Sequence, residues 1–237
     1  MAAVRWQPVP NLQVAVDGPA GSGKGTVAAR IAAELGLPVL DSGLLYRFTA
    51  CLATETGVSL DDTDRLVAML ESAEKGLRWQ QEGLFYQGGD WTPRLRSEAV
   101  GNLASQVASQ VDVREKLLHV QRHLAANGCV MDGRDIGTIV LPGSPAKFFI
   151  TASAQVRARR RWLQLQGTGA EDSFAAVIED MKARDQRDTE REHAPLAKAH
   201  DAVRIDTTTL RIDEVVDRML AILERRGLIR CADDKMQ

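Results

Sequence analysis

The sequence predicts an α/β fold in which a five-stranded parallel sheet is flanked by helices. Short apolar runs, the form expected of strands buried on both faces, alternate with longer segments whose apolar residues recur at helical spacing. One segment, residues 75–95, departs from this order. Its aromatic residues alternate with polar ones between glycine-bounded turns, which predicts a small antiparallel β insertion.

The first elements can be justified in order along the chain. Residues 12–18 form an apolar run closed by Asp-Gly, which is typical of a buried strand. Residues 24–36 carry Val27, Ile31 and Leu35 at helical spacing and end at Gly36, a suitable C-terminal glycine. Residues 38–43 predict a second strand. Helices follow at 44–57 and 61–73, and the latter has acidic residues in its first turn.

After the insertion the alternation of strands and helices resumes. Helices are predicted at 97–110 and 111–127, before a buried strand at 128–132. Two further strands are predicted at 145–152 and 201–208. Long charged helices are predicted at 154–167 and 172–191, a final helix at 212–226, and a frayed tail at 231–237.

Composition limits the class of protein. A chain of 237 residues, 44% hydrophobic and 26% charged, is long enough for one domain with a real core and does not have the composition of a disordered protein. The formal net charge of -2 argues against bulk affinity for nucleic acid or anionic membranes. The three cysteines show no disulfide or zinc spacing, and no signal peptide or membrane-spanning run is seen. We therefore expect a cytoplasmic protein without nucleic-acid or membrane partners.

The stretch "DGPAGSGKGT" lies between the first strand and the first helix. Gly18, Gly23 and Lys24 match the phosphate-binding loop G-x-x-x-x-G-K-[ST], but Gly25 replaces the expected hydroxyl residue and Thr26 supplies a hydroxyl one position late. Glycine amides, a helix N-terminus and a lysine together favour a triphosphate. The residues predicted to bind ATP are Gly18, Pro19, Ala20, Gly21, Ser22, Gly23, Lys24, Gly25 and Thr26.

Magnesium is the expected cofactor, without a direct protein ligand. Because Gly25 has no hydroxyl, the ion should be held between phosphates and by water, with Thr26 or Asp132 reaching it through water. A plain strand-to-helix turn is a weaker interpretation of the loop. A dinucleotide fingerprint also fits less well, because its glycine spacing is wrong, although Asp41 lies where a ribose-binding acid could be.

Charged residues follow several of the predicted strands, at the sheet edge where ligands of such folds bind. "LDSGLLYR" places Ser42, Tyr46 and Arg47 there, and "DGRDIGT" adds a further charged group: Asp132, Arg134 and Asp135. "ARDQRDTER" presents Arg184, Arg187, Asp188 and Arg191 on one helical face. "RARRRWLQLQGTG" has the arginines and terminal glycines of a hinged lid. Ion pairs and solvated basic faces are the alternative interpretations of these stretches.

Taken together, these motifs resemble those of the bacterial cytidylate kinases, members of the P-loop nucleoside monophosphate kinase superfamily. The resemblance runs from about Leu12 to Leu220 and includes "LASQVA", "VRE", "RRWLQLQ", "APL" and "DTTTL". It implies transfer of a phosphoryl group from ATP to CMP or dCMP, in pyrimidine nucleotide metabolism. It also implies one kinase domain over 1–237: a core at about 11–42, 112–156 and 192–227, a monophosphate-binding region with the insertion at about 43–111, and a lid at about 157–172.

The resemblance also implies residue roles. Cytosine would be read by Ser42, Arg114 and Asp135, with Ser105 assisting, and the acceptor phosphate would meet Arg47 and Arg134. The full predicted CMP-binding set is Ser42, Tyr46, Arg47, Ser105, Arg114, Asp132, Arg134, Asp135, Arg184, Asp188 and Arg191, with Arg184 and Asp188 on the sugar. The predicted catalytic residues are Lys24, Arg134 and the lid arginines Arg160 and Arg161. Either Arg94 or Arg96 would face the nucleotide from the insertion.

Elementary chemistry agrees with these roles and keeps rival functions open. A carboxylate suits the N4 amino group of cytosine, and the expected partners are small nucleotides bound by a monomer. The nearest alternative is another P-loop kinase, acting on UMP, AMP or a hydroxyl compound. A GTPase switch would need a hydroxyl after the lysine and a base-reading N-K-x-D motif, and an RNA-binding protein would fit the net charge poorly.

Overall fold

The protein is described by a computed structural model over residues 6–80, 83–166 and 173–232. The strands are β1 (Trp6–Pro8), β2 (Gln13–Asp17), β3 (Val39–Asp41), β4 (Leu77–Gln80), β5 (Gly83–Tyr86), β6 (Gly89–Asp90), β7 (Cys129–Gly133), β8 (Ala146–Thr151), β9 (Val203–Asp206) and β10 (Ile229–Cys231). The helices are α1 (Lys24–Leu35), α2 (Ser42–Thr56), α3 (Thr63–Glu74), α4 (Thr92–Leu95), α5 (Glu98–Val107), α6 (Val111–Ala125), α7 (Ala154–Gln166), α8 (Phe174–Glu190) and α9 (Ile212–Arg225).

The central sheet has five strands in the order β3-β7-β2-β8-β9, and every pair is parallel. Val14 and Val16 of β2 point to the core that contains α1 and α9. Ala15 points to the opposite face, where it belongs to a second core with Ala125 of α6 and Ile136, which follows β7. Both faces are therefore covered, as the continuous apolar runs predicted. The α/β fold class and the parallel five-stranded sheet are confirmed.

The insertion predicted at 75–95 is a three-stranded antiparallel sheet, β4-β5-β6, followed by the short helix α4. Its aromatic residues explain its attachment. Tyr86 packs edge-on and Trp91 packs at a tilt against Phe48 of α2, with ring centroids 5.1 and 4.9 Å away. The Trp79 indole donates a hydrogen bond to the Val39 carbonyl, 2.9 Å away, so the insertion is tied directly to β3.

Three local predictions were wrong. Cys231 does not belong to a frayed tail, because β10 pairs antiparallel with β1; the tail residues 233–237 lie outside the described part of the chain. The strand expected to end at Asp132 continues to Gly133, and the helix expected from residue 172 begins at Phe174. A π-helical turn, Ile136–Val140, follows β7 and was not predicted. Its wider i→i+5 bonding, such as Leu141 N–H to the Ile136 carbonyl at 2.7 Å, leaves no periodic signature in five residues.

Among the helices that the structure describes, none combines the length and the apolar character needed to cross a lipid bilayer.

Candidate active site

The loop between β2 and α1 has the backbone of a phosphate cradle. Gly18, Gly21 and Gly23 have φ angles of 152°, 71° and 87°, in the left-handed region that favours glycine. A Cβ on Gly18 would lie 2.0 Å from the Ile150 carbonyl oxygen, so no larger residue fits there. No side chain of the described residues caps the first turn of α1, whose amide groups remain available for an anion.

Gly25 has a steric explanation in the structure. A Cβ at this position would lie 3.1 Å from Oδ2 of Asp132, close enough that the carboxylate would have to move by a few tenths of an ångström. Asp132 is buried at the end of β7, and it lies beside Asp41 in the register of β3 and β7. A serine or threonine at this position of the loop would therefore crowd a carboxylate from a neighbouring strand.

The charges next to this carboxylate perturb each other. Burial lowers the pKa of Lys24 to about 8, helped by the positive charge of Arg134 and opposed by Asp132. Burial also raises the pKa of Asp132 to about 7, helped by the carboxylate of Asp41 and opposed by Lys24. A group of this kind at a sheet edge is typical of a functional site.

An arginine cluster lies beside the loop and consists of Arg47, Arg134, Arg161 and Arg184. Burial lowers the pKa of Arg184 to about 10, and the charges of Arg134, Arg47 and Arg161 lower it further. Within the described residues its buried Nε has no hydrogen-bond partner. Cations that depress one another in this way are stabilised when an anion binds between them, so the cluster is suited to phosphate groups.

Asp188 is the acid within this cluster. Its carboxylate accepts a hydrogen bond from Arg134 Nε at 2.8 Å and lies 3.5 Å from Arg191. Burial would raise the pKa of Asp188, but these two arginines hold the pKa below its usual value. The predicted sugar-binding residue is thus engaged in fixing the arginines of the site.

Arg47 is held by the backbone rather than by an acid. Its Nη1 donates to the carbonyl oxygens of Leu95 and Ser97, at 2.8 and 2.9 Å. Gly101 allows this approach, because a Cβ there would lie 2.8 Å from Arg47 Nη2. The guanidinium predicted to meet the acceptor phosphate is therefore positioned by the chain that follows the insertion.

Arg114 and Asp135, the predicted base-reading pair, form a buried salt bridge. Arg114 also donates to the Ala108 carbonyl at 3.1 Å, and its guanidinium lies 5.3 Å from the centre of the Tyr46 ring. The pair borders a cavity of about 220 Å³, whose apolar walls include Leu118 and Ile139.

The two predicted serines are placed differently. Among the described residues that border this cavity, neither Ser42 nor Ser105 is present. Ser42 is buried at the start of α2, where a Cβ on Gly133 would lie 2.6 Å from its hydroxyl, and Ser105 is half-buried in α5. The cavity therefore offers the Arg114–Asp135 pair rather than serine hydroxyls to a ligand.

The lid arginines separate into two groups. Arg160 donates to the Ser22 carbonyl of the loop at 3.3 Å and to the carbonyl of Thr207 at 2.8 Å, so it lies on the donor side. Arg161 is half-buried, and its charge is among those that lower the pKa of Arg47 and of Arg184. Part of the predicted lid, residues 167–172, lies outside the described residues.

Some site residues were missed by sequence reasoning. Arg157 of α7 donates to the Ala20 carbonyl at 3.1 Å and to Asp185 of α8 at 2.5 Å, which braces α7 and α8 against the loop. Thr207 donates to the Ser22 carbonyl at 3.0 Å. The "DTTTL" motif was a usable signal for Thr207, whereas nothing in the local pattern distinguishes Arg157 and Asp185 from a solvated ion pair.

Arg94 and Arg96, between which the sequence could not choose, have different neighbours in the structure. Its guanidinium lies 3.3 Å from the centre of the Trp91 ring and pairs with Glu55 at 2.7 Å. Arg96 is exposed, and its charge is among those that lower the pKa of Arg47. Arg96 is therefore the insertion arginine on the side of the cluster.

A parallel sheet with a glycine-rich loop at its carboxyl edge, facing arginines from several other elements, defines a P-loop phosphotransferase. The chain belongs to the cytidylate kinase family, whose model matches residues 14–225. The resemblance stated from the motifs is thereby confirmed.

Curated relatives agree with this assignment, and a solved structure shares the fold. A cytidylate kinase of Stutzerimonas stutzeri (strain A1501) is 45% identical over 94% of this chain and 98% of the relative. One of Desulfitobacterium hafniense (strain Y51) is also 45% identical, over 90% of this chain and 92% of the relative. An uncharacterized protein from Eubacterium ventriosum shares the fold at a TM-score of 0.50 and 15% identity, over 90% of this chain and 98% of that one.

Proposed function

We propose that the protein transfers the terminal phosphoryl group of ATP to CMP or dCMP, giving ADP and CDP or dCDP. The observation that carries the proposal is the arginine cluster beside the phosphate loop, with the Arg114–Asp135 pair on a cavity next to it. The curated cytidylate kinases that resemble the chain along most of its length support the same reaction.

The proposed base reading follows from hydrogen-bond chemistry. Cytosine has an amino donor at N4 and acceptors at N3 and O2. The Asp135 carboxylate can accept from N4, and the Arg114 guanidinium can donate to N3 and O2. Uracil has an acceptor at position 4, which a carboxylate repels. The buried pair is therefore suited to cytosine.

The proposed transfer needs charge and alignment rather than a general base. A phosphate monoester has a second pKa near 6, so an acceptor oxygen of CMP already carries the charge to attack the terminal phosphorus of ATP. The new P–O bond forms as the bond to the β-phosphate oxygen breaks, and ADP leaves. Lys24, Arg134 and the lid arginines Arg160 and Arg161 neutralise the phosphates and hold them in line.

Magnesium is the proposed cofactor, and it would neutralise charge on the phosphates of ATP. Among the described residues no group of His, Cys, Asp or Glu side chains could enclose a metal ion. Asp132 lies beside Gly25 and Thr26 is exposed on α1, and we propose that one of them contacts the hydrated ion through water. The donor set therefore fits an ion held by nucleotide phosphates and water.

We further propose that residues 43–111 form the acceptor region, with Arg96 facing the nucleotide, and that residues 157–172 form a closing lid. The proposed active site draws all its groups from one chain, which supports a monomer. The proposed substrates are small nucleotides of the cytoplasm.

A panel of acceptors tests the proposal. ADP release is measured with ATP, magnesium and each of CMP, dCMP, UMP, AMP and shikimate. We expect CMP and dCMP to be turned over well ahead of the others. Faster ADP release with AMP or shikimate than with CMP would contradict the assigned base-reading residues. Binding of ATP without turnover of any acceptor would contradict the assignment as a kinase.

ATP affinity should depend on pH through Lys24. In the free enzyme the pKa of Lys24 is about 8, and ATP is proposed to bind the protonated, ammonium form of Lys24. Affinity should therefore be full below pH 7 and should weaken above pH 8, by up to about tenfold per pH unit until the ATP complex itself deprotonates. Calorimetric titration with ATP and magnesium between pH 6.5 and 9.5 measures this change.

The matched control for the pH profile is Lys24→Arg, because a guanidinium stays charged throughout this range. Its ATP affinity should be nearly independent of pH. A parent enzyme without weakening up to pH 9.5, or an equal decline in the arginine variant, would contradict the assignment to Lys24.

A further inference from the structure

Asp17 ends β2 and directly precedes the phosphate loop, yet its side chain faces the turn that follows β7. The residue is 4% exposed, and each carboxylate oxygen accepts one backbone hydrogen bond. Oδ1 accepts from Ile136 N–H at 2.8 Å, and Oδ2 accepts from Gly137 N–H at 2.7 Å. These two amides directly follow Asp135, the residue proposed to read cytosine.

The bonded amides open the π-helical turn at Ile136–Val140. The first amides of a helical turn have no partner within the turn, and buried amides without a partner are costly. The Asp135 carbonyl begins the turn by accepting from Ile139 and Val140, at 2.8 and 3.1 Å. Asp17 therefore fixes the turn from its amino end, while Asp135 stands at the junction of this turn with β7.

Close packing restricts the turn. A Cβ on Gly137 would lie 3.2 Å from Lys147 Cδ and 3.3 Å from Asp17 Oδ2, so a larger residue would have to displace these side chains by a few tenths of an ångström. Asp17 itself is held in the middle of the sheet, since β2 pairs with both β7 and β8. A shift of Asp17 would move the turn, and with it Asp135.

We propose that Asp17 is a positioning residue for recognition of the acceptor base, although it directly precedes the donor loop. Its carboxylate sets the orientation of Asp135, and through it that of the Arg114 salt bridge. The inference rests on the proposed function, because the readout is discrimination between cytosine and uracil. It makes the start of the ATP loop part of the acceptor site.

The test is Asp17→Asn, which keeps the shape but presents an amide donor to one of the two backbone N–H groups. We expect KM for CMP to rise on the order of 10- to 100-fold and the preference for CMP over UMP to fall, because small misplacements of a reading group have effects of this size. The ATP dissociation constant should change less than about threefold, since the loop amides and Lys24 are untouched. Amide hydrogen exchange at Ile136 and Gly137 should become faster.

The matched control is Asp201→Asn. Asp201 pairs with Lys147 at 2.9 Å, and Lys147 packs on Gly137, but the turn amides of Ile136 and Gly137 donate to Asp17 rather than to Asp201. The Asp201→Asn variant should keep the preference for CMP over UMP that the unmutated enzyme shows. Equal loss of preference in both variants, a rise in the ATP dissociation constant that matches the rise in KM for CMP, or unchanged exchange at the two amides would overturn the positioning role. A parent that does not turn over CMP would instead contradict the proposed function.

Discussion

Replacing Lys24 by methionine is expected to lower kcat on the order of 10²- to 10³-fold, the usual effect of removing one group that stabilises transition-state charge. Lys24 begins α1 at the phosphate loop, next to Asp132 and Arg134. In the proposed reaction its ammonium stabilises the charge of the phosphoryl group during transfer, whereas the loop amides are proposed to bind ATP in the ground state as well. Most of the loss should therefore appear in kcat and a smaller part in KM for ATP.

The measurement is steady-state turnover of ATP and CMP, with ATP binding followed separately by calorimetry. Lys182→Met is the matched control, because Lys182 is an exposed lysine of α8 that pairs with Glu179. It should behave like the parent. A Lys24→Met enzyme whose kcat stays within a few-fold of the parent would show that the loop lysine does not act on the transferred group.

The sequence predicted the fold and the site best where a structure or a binding function requires a short, recognisable pattern of residues. The parallel sheet was predictable because its strands are continuous apolar runs, such as "VAV" in β2, and the loop was predictable from Gly18, Gly23 and Lys24. The pairing of β1 with β10 was missed because both strands have three residues and join distant parts of the chain. Such short strands form only when the remaining fold brings them together.

Contacts within the site were missed for the same physical reason, because they join residues that are distant in the sequence. The charge of Arg157 was visible, but its partner Asp185 lies in another helix, and its contact with the Ala20 carbonyl depends on how that helix packs. Asp17 was visible only as part of a motif, whereas its hydrogen bonds reach amides far along the chain. Side-chain identity can be predicted from a motif, but side-chain direction depends on the tertiary structure.

Replacing Asp135 by asparagine is expected to remove most of the preference for cytosine. An asparagine amide can rotate to accept from cytosine N4 or to donate to uracil O4, so the uracil-repelling charge is lost. A good pair of this kind is worth about 1–3 kcal/mol, which corresponds to a decrease of roughly 5- to 150-fold in the ratio of kcat/KM for CMP to that for UMP. The ratio is measured with both acceptors at saturating ATP.

The same variant leaves Arg114 with a neutral neighbour in a buried position. Arg114 retains the Ala108 carbonyl and the Tyr46 ring, but the salt bridge no longer compensates its desolvation. Breaking a buried pair from one side costs about 3–5 kcal/mol, so thermal unfolding should begin at a lower temperature and the kinetics should be compared below it. The matched control is Asp112→Asn, which removes an exposed carboxylate from the first turn of α6, the helix that contains Arg114. That control should keep the parent's preference, and an Asp135→Asn enzyme that also kept it would show that cytosine is read elsewhere.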